Sequence, residues 1–318
     1  MTRVAAVDCG TNTIKLLVAD LDPATGDERE LVREMRMVRL GQDVDRTGRL
    51  ADEALARVFA AVDEYAATIA SYDVAAVRFC ATSAARDAAN AEVFTAGVRD
   101  RLGVLPEVVT GAEEAQLSFE GATRSLPPGA HTGGGPVLVV DIGGGSTELI
   151  VGEPSTGEGG RPRVLAAHSL DIGSVRMTER LLPSDPPTAA ETDAATRAVD
   201  EALDTLPALG VDVAGAAHLV GVAGTVTTVA AMVLDLPAYQ RDAIHHAVLP
   251  VQALHKATDR LLAMTHAERR SLPFMHPGRA DVIGAGALIL DRVLRRTSLS
   301  ELLVSESDIL DGIAWSRA

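Results

Sequence analysis

Aromatic side chains are scarce in this chain of 318 residues: they make up 3%, with one Trp, three Tyr and five Phe. The apolar share of 47% is still that of an ordinary globular protein. A sizeable core is therefore available, and Ala, Val and Leu must build it. Cysteine is nearly absent. Cys9 and Cys80 are the only two, and they offer no metal-ligand spacing. Each lies beside an apolar strand, which reads as a small core residue in a reducing compartment, with a disulfide as the alternative. No apolar run is long enough to span a bilayer. The N-terminus lacks a charged flank followed by a long apolar stretch, so it does not read as a signal peptide. A cytoplasmic protein with no membrane partner is expected. Positive charge is also short: 29 Lys and Arg against 44 Asp and Glu leave a net charge of −15. That balance argues against nucleic acid or an anionic membrane as partner. A polyanionic substrate would be repelled by the global field. Binding it would need local cations, oriented amides and a metal.

What the chain does have is a repeated turn. Val137 to Val140 form an apolar strand ending in Asp141; Ile142-Gly143-Gly144-Gly145-Ser146-Thr147 make a tight bend; Glu148 then opens a second apolar strand. A near-copy begins the chain: Val4 to Val7, Asp8, Cys9-Gly10-Thr11-Asn12-Thr13, then Ile14 to Val18. Glycines let the backbone approach a phosphate closely, and their N–H groups become donors to anionic oxygens. The aspartates can hold a magnesium ion that bridges those oxygens. Two such units facing across a cleft make phosphate chemistry the leading expectation.

The rest of the chain reads as two mixed α/β lobes. Residues 3–9, 13–20 and 28–39 are predicted strands, 51–71 a helix, 74–80 a strand. Asn90 is placed to cap a helix through Leu102, and 106–109 form a short strand. Thr110 starts a helix to about Thr123, with Glu113 completing a capping box. The stretch 127–136 is rich in Pro and Gly, which makes it the boundary between lobes 1–125 and 126–318. Beyond it, strands are predicted at 164–170, 218–222 and 302–305. Helices are predicted near 174–182, 188–206, 250–263, 265–270, 279–295 and 309–315, with another after Gly224. The order strand–strand–strand–helix–strand–helix appears once in each half, a duplication of fold without obvious repetition of sequence.

Several residue types suit this chemistry. Magnesium is a hard ion that takes oxygen ligands, and Asp141 and Glu148, seven residues apart across the bend, could face one ion. The plain structural reading makes Asp141 a turn cap and Glu148 a solvated strand residue. The bends Gly10-Thr11-Asn12-Thr13 and Gly143-Gly144-Gly145-Ser146-Thr147 offer amides and hydroxyls to phosphate. A hairpin needing positive φ explains one Gly in each, but not three in a row flanked by an acid and two hydroxyls. Glu113 and Glu114 open a helix, where the macrodipole alone accounts for acids. Arg86 ends a strand, and by itself reads as a surface partner of Asp87 or Glu92.

Four motifs occur in order: Asp8-Cys9-Gly10-Thr11-Asn12-Thr13, Ala81-Thr82-Ser83-Ala84-Ala85-Arg86-Asp87-Ala88, Gly111-Ala112-Glu113-Glu114-Ala115 and Asp141-Ile142-Gly143-Gly144-Gly145-Ser146-Thr147-Glu148. Together they resemble the exopolyphosphatase / guanosine pentaphosphate phosphohydrolase family, over essentially the whole chain. The resemblance implies two actin-like (ribonuclease H-like) lobes. It implies hydrolysis of terminal phosphoanhydride bonds of inorganic polyphosphate, with guanosine pentaphosphate or a nucleoside triphosphate as the alternative substrate. It assigns Glu114 as the base that activates water, Arg86 as a bidentate phosphate contact, and Asp141, Glu148 and Asp8 as holders of Mg²⁺, with Mn²⁺ as the alternative metal. It also implies a homodimer. Gly221 to Thr228 resembles the superfamily's third Gly-rich turn, Arg279 a distal anion contact. Where the family usually has a His-Gly pair, this chain has His245-His246. The additional helical region of larger members does not follow residue 318. Two rivals keep the fold and change the role: a small-molecule kinase, and a nucleotide-gated, actin-like assembly module that is not a hydrolase.

Overall fold

The computed structural model describes residues 1–81, 85, 88–127, 134–154 and 162–318. They divide into two compact units: Met1–Gly121 with Ile309–Ala318, and Ala122–Pro154 with Pro162–Asp308.

The first unit is built on a five-stranded sheet: β1 (Thr2–Cys9), β2 (Thr13–Leu21), β3 (Glu28–Met37), β4 (Ala76–Ala81) and β5 (Glu107–Val108), in the order β3-β2-β1-β4-β5. β1 is apolar almost throughout, which suits a central strand covered on both faces. It pairs antiparallel with β2 and parallel with β4. Helices α1 (Asp52–Ala70), α2 (Ala91–Leu102) and α3 (Gly111–Arg124) follow the strands. Side chains alternate along β1 as the pleat requires. Ala5, Val7 and Cys9 join Leu55, Val62 and Tyr65 of α1 and Phe94 of α2 on one face. Val4 and Ala6 join Leu117 of α3 on the other, where Ile309, Leu310, Ile313 and Trp315 of the closing helix Ile309–Trp315 complete the layer. Few as the aromatics are, Tyr65, Phe79 and Phe94 sit deep: Tyr65 donates to the Ile14 carbonyl at 3.0 Å, and Phe79 meets Phe94 edge to face at 6.1 Å. Cys9 and Cys80 fall on opposite faces of the sheet and are free thiols. Burial pushes both up, Cys80 to about 12, so the disulfide alternative is set aside and both are inert core residues.

The second unit has a six-stranded sheet: β6 (Val137–Ile142), β7 (Thr147–Glu153), β8 (Arg163–Leu170), β9 (His218–Val222), β10 (Val248–Pro250) and β11 (Glu301–Val304), ordered β10-β11-β9-β6-β7-β8. Its helices are α4 (Ser174–Leu181), α5 (Ala189–Leu203), α6 (Ala223–Val233), α7 (Val251–Ala263), α8 (His266–Ser271) and α9 (Ile283–Leu294). β6-β7-β8 repeat the meander β1-β2-β3, and β9 lies parallel to β6 as β4 does to β1. Among the described residues the one addition is the edge strand β10 beyond β11. No helix among the described residues is long and apolar enough to cross a membrane.

Two expectations need correction. Read from sequence, residues 126–318 are one lobe; the closing helix instead belongs to the first unit. Asp311 pairs with Arg33 of β3, and Trp315 Nε1 donates to Glu28 at 3.0 Å. The sheet's second face, left apolar by β1, is what the helix covers. Asn90 does not cap α2. Its amide clamps a distant backbone, accepting from Leu50 N at 2.8 Å and donating to Leu50 O at 2.9 Å.

Gly312 shows how tightly the closing helix is seated: a Cβ there would lie 2.0 Å from the Leu117 carbonyl oxygen. Backbone cannot swing aside as a side chain can. Gly312→Ala should therefore cost about 3 kcal/mol, seen as a lower urea midpoint for the first unit. A midpoint equal to wild type would mean that the helix is not docked this closely.

Candidate active site

In the second unit, the bend between β6 and β7 is closed by Gly143 N donating to Ser146 O at 3.0 Å. Its other carbonyls all turn toward α4. Gly143 O accepts from Ser174 N at 2.9 Å, Gly144 O from Val175 N at 2.9 Å and Arg176 N at 3.1 Å, and Gly145 O from Arg176 Nε at 2.8 Å. In a trans peptide the N–H of the next residue points opposite to the carbonyl. The amides of Gly144, Gly145 and Ser146 are thereby aimed away from α4, and none of the three donates to a protein acceptor among the described residues. Consecutive amides of this kind form an anion-binding concavity. Thr147, expected from its neighbours to contact phosphate, is fully buried and its hydroxyl donates to Ile172 O at 2.5 Å, tying β7 to the segment before α4.

Asp141 and Glu148 are direct partners in the antiparallel β6–β7 register, so their side chains share one face. Both are buried, 7% and 2% exposed; Glu148 is not a solvated strand residue. Ser169, opposite Glu148 on β8, donates its hydroxyl to Glu148 at 2.7 Å. Burial first, then the Asp141 charge, push the Glu148 carboxyl well above the usual carboxylate range, against the pull of hydrogen bonds from Ser169 and Ser146. Two opposed, buried, hard-oxygen groups are a donor set that a divalent cation fits, because it removes their repulsion. No group of three or more His, Cys, Asp or Glu gathers among the described residues. The protein thus offers part of a coordination shell, as magnesium sites completed by water and phosphate do.

In the first unit the corresponding hairpin carries different charges. Asp8 is the register partner of Lys15, seven positions on, as Glu148 is of Asp141. Lys15 Nζ lies 3.7 Å from Asp8 Oδ2. The first hairpin thus supplies its own cation, and the second pairs like charges. Lys15 was not singled out from sequence; the seven-residue spacing across the bend was the available signal. The bend itself is backed by segment 38–41: Asn12 O accepts from Val38 N and Arg39 N at 3.0 Å, and Thr11 O from Gly41 N at 2.8 Å. Gly10 N closes the turn on Thr13 O at 2.9 Å.

The two neighbouring acids of α3 separate cleanly. Glu113 N–H donates to the capping Thr110 hydroxyl at 3.2 Å, but the Glu113 carboxylate does not return to complete a box; it pairs with Arg78 at 2.5 Å and is 45% exposed. Glu114 is 5% exposed, its N–H bonded to Thr110 O at 2.8 Å. Glu113→Gln should accordingly leave phosphate release within about twofold of wild type, since it removes an ion pair that is open to solvent on one side. A loss near that of a Glu114 variant would exchange the two roles.

Arg86 lies outside the described residues, as do Thr82, Ser83 and Asp87. Arg279 Nη1 donates to the Thr228 hydroxyl at 3.3 Å, and its guanidinium lies flat against Gly224, where a Cβ would meet Cζ at 2.5 Å. His246 keeps φ at 65°, the left-handed conformation that favours glycine, and its ring stacks on His245 with centroids 3.6 Å apart.

The comparisons with known proteins agree with this geometry. Over 330 aligned positions the chain is 48% identical to "Exopolyphosphatase 2" of Mycobacterium tuberculosis, covering 100% of this chain and 99% of that protein. A crystal structure described as an exopolyphosphatase-like protein matches with a TM-score of 0.92 at 43% identity, over 100% of this chain and 98% of that one. The Ppx/GppA family member of Aquifex aeolicus matches with a TM-score of 0.79 at 30% identity, over 99% and 97%. The model of the Ppx/GppA phosphatase family matches residues 22–317. Two duplicated α/β units, each with a Gly bend behind an aspartate, and full-length likeness to its members lead to one conclusion: this chain belongs to the Ppx/GppA phosphatase family.

Proposed function

We propose that this chain is an exopolyphosphatase that hydrolyses terminal phosphoanhydride bonds of inorganic polyphosphate and releases orthophosphate. The observation that carries the reading is the second bend, where the amides of Gly144, Gly145 and Ser146 are presented beside the buried pair Asp141 and Glu148. Three aligned donors suit a terminal phosphoryl group. Asp141 and Glu148 hold Mg²⁺, which when bound offsets the charge on phosphate oxygens. Asp8, balanced by Lys15, is left out of the ligand set. Ser169 fixes the Glu148 carboxylate in orientation. The amides of the second bend bind and orient the phosphoryl oxygens where charge develops, and the first bend, Gly10 to Thr13, offers amides and hydroxyls of the same kind to phosphate. Glu114 accepts the proton of the attacking water. Arg86 pairs with phosphate oxygens in this reading. Positioning and charge stabilisation account for most of the rate in phosphoryl transfer. The likeness to an exopolyphosphatase at 48% identity supports polyphosphate over other substrates.

The test is phosphate release from short and long polyphosphates, guanosine pentaphosphate and ATP, side by side with Mg²⁺. Polyphosphate should give the highest kcat/KM. A preference for guanosine pentaphosphate would move the activity to the nucleotide; phosphate passed to an acceptor with none released would make the protein a kinase.

A further inference from the structure

Residues 173–176 make contacts that no phosphate contact of their own explains. Gly173 precedes α4, and a Cβ there would lie 2.4 Å from Gly144 O and 2.5 Å from Gly145 C. Only glycine lets the segment approach the bend this closely. The first N–H groups of a helix ordinarily need outside acceptors. In α4 those of Ser174, Val175 and Arg176 go to bend carbonyls, so this helix start does not serve an anion directly. It serves the loop that does. Arg176 adds a second contact through its side chain, Nε to Gly145 O at 2.8 Å.

We propose that Arg176 is a positioning residue of the phosphate cradle: by holding the Gly145 carbonyl it fixes the Gly145–Ser146 peptide plane and aims the Ser146 N–H at the phosphoryl oxygen. This rests on the assignment of the second bend to phosphate. One rigid peptide carries both atoms, so what grips the carbonyl sets the direction of the amide. A donor that must find its direction at each turnover stabilises developing charge less than one already set. Gly143 and Gly144 have backbone donors at their carbonyls; Gly145 O has the Arg176 side chain. The cradle's last donor is thus the one that a side-chain substitution can release. Arg176 also faces Asp171, with Nη2 3.6 Å from Oδ1, and Asp171 is 79% exposed. A role in that surface pair is the competing explanation, and it can be separated.

The experiment compares Arg176→Ala, Arg176→Lys and Asp171→Asn with wild type. Arg176→Ala should lower kcat by about 10- to 100-fold with KM changed less than threefold. Arg176→Lys should recover part of kcat, since an ammonium can still reach the carbonyl. Asp171→Asn removes the surface pair alone and should keep wild-type kcat. Equal losses in Asp171→Asn and Arg176→Ala would assign Arg176 to the ion pair and overturn the proposal. So would wild-type kcat in Arg176→Ala. A binding readout keeps this apart from the substrate assignment: saturating inorganic phosphate should slow amide exchange at residues 144–146 in wild type and less so in Arg176→Ala. That difference should appear whichever phosphoanhydride the protein hydrolyses. Equal slowing in both proteins counts against the positioning role, and no slowing in wild type counts against the cradle itself.

Discussion

Glu114→Gln should fold as wild type does and lose phosphate release by about 10²- to 10⁴-fold, the range of a positioned general base. The change is nearly isosteric, so the packing of a side chain only 5% exposed is kept. What is lost is the ability to take a proton from water. The neighbouring acid provides an internal control. Glu113 is drawn outward by Arg78, with Glu107 on the same guanidinium at 2.7 Å, so its carboxylate is engaged where Glu114 is turned inward. Steady-state kcat on polyphosphate, with circular dichroism to show an unchanged fold, measures the difference. A Glu114→Gln protein with kcat within tenfold of wild type would remove Glu114 as the base.

Removing divalent cation should lower turnover by about 10³-fold or more, since charge offset on phosphate oxygens is worth several kcal/mol and each 1.4 is a factor of ten. The same cation should also raise thermal stability, because it relieves the repulsion between Asp141 and Glu148 and binds only the folded pair. Glu148→Gln ends that repulsion by neutralising one partner. Its unliganded protein should melt no lower than wild type, and its Mg²⁺-dependent rise in Tm should vanish along with most of the activity. Asp8→Asn should keep the Mg²⁺-dependent rise, because Asp8 already faces Lys15. A Glu148→Gln protein that Mg²⁺ stabilises as well as wild type would place the cation elsewhere.

Much of this was legible from local pattern. The carboxylate pair could be read because a hairpin fixes register: once Gly143 to Ser146 form the bend, Asp141 must fall opposite Glu148. The same reasoning reaches Lys15 from Asp8. The order of elements was legible because the inner strands are continuous apolar runs and the longer helices repeat apolar residues at helical spacing. What stayed hidden depends on contacts distant in sequence. Arg176 meets Gly145 across 31 positions, and Asn90 meets Leu50 across 40; an Asn at a helix start reads as a cap until a backbone with both donor and acceptor is brought beside it. β10 has three residues, too few to show a period. The closing helix shows an apolar face but carries no label saying which sheet it covers. Thr147 read as a ligand by its neighbours, and burial gave its hydroxyl another use.

The closing helix bears on synthesis. While a ribosome makes this chain, the strands of the first sheet emerge early, yet Val4, Ala6 and Leu117 wait for partners at positions 309–315. The amino-terminal half thus cannot finish folding before its carboxy-terminal half has been translated, contrary to the usual vectorial order. Nascent chains halted short of Ile309 should expose a sticky apolar surface and recruit chaperones until the last turn of helix arrives.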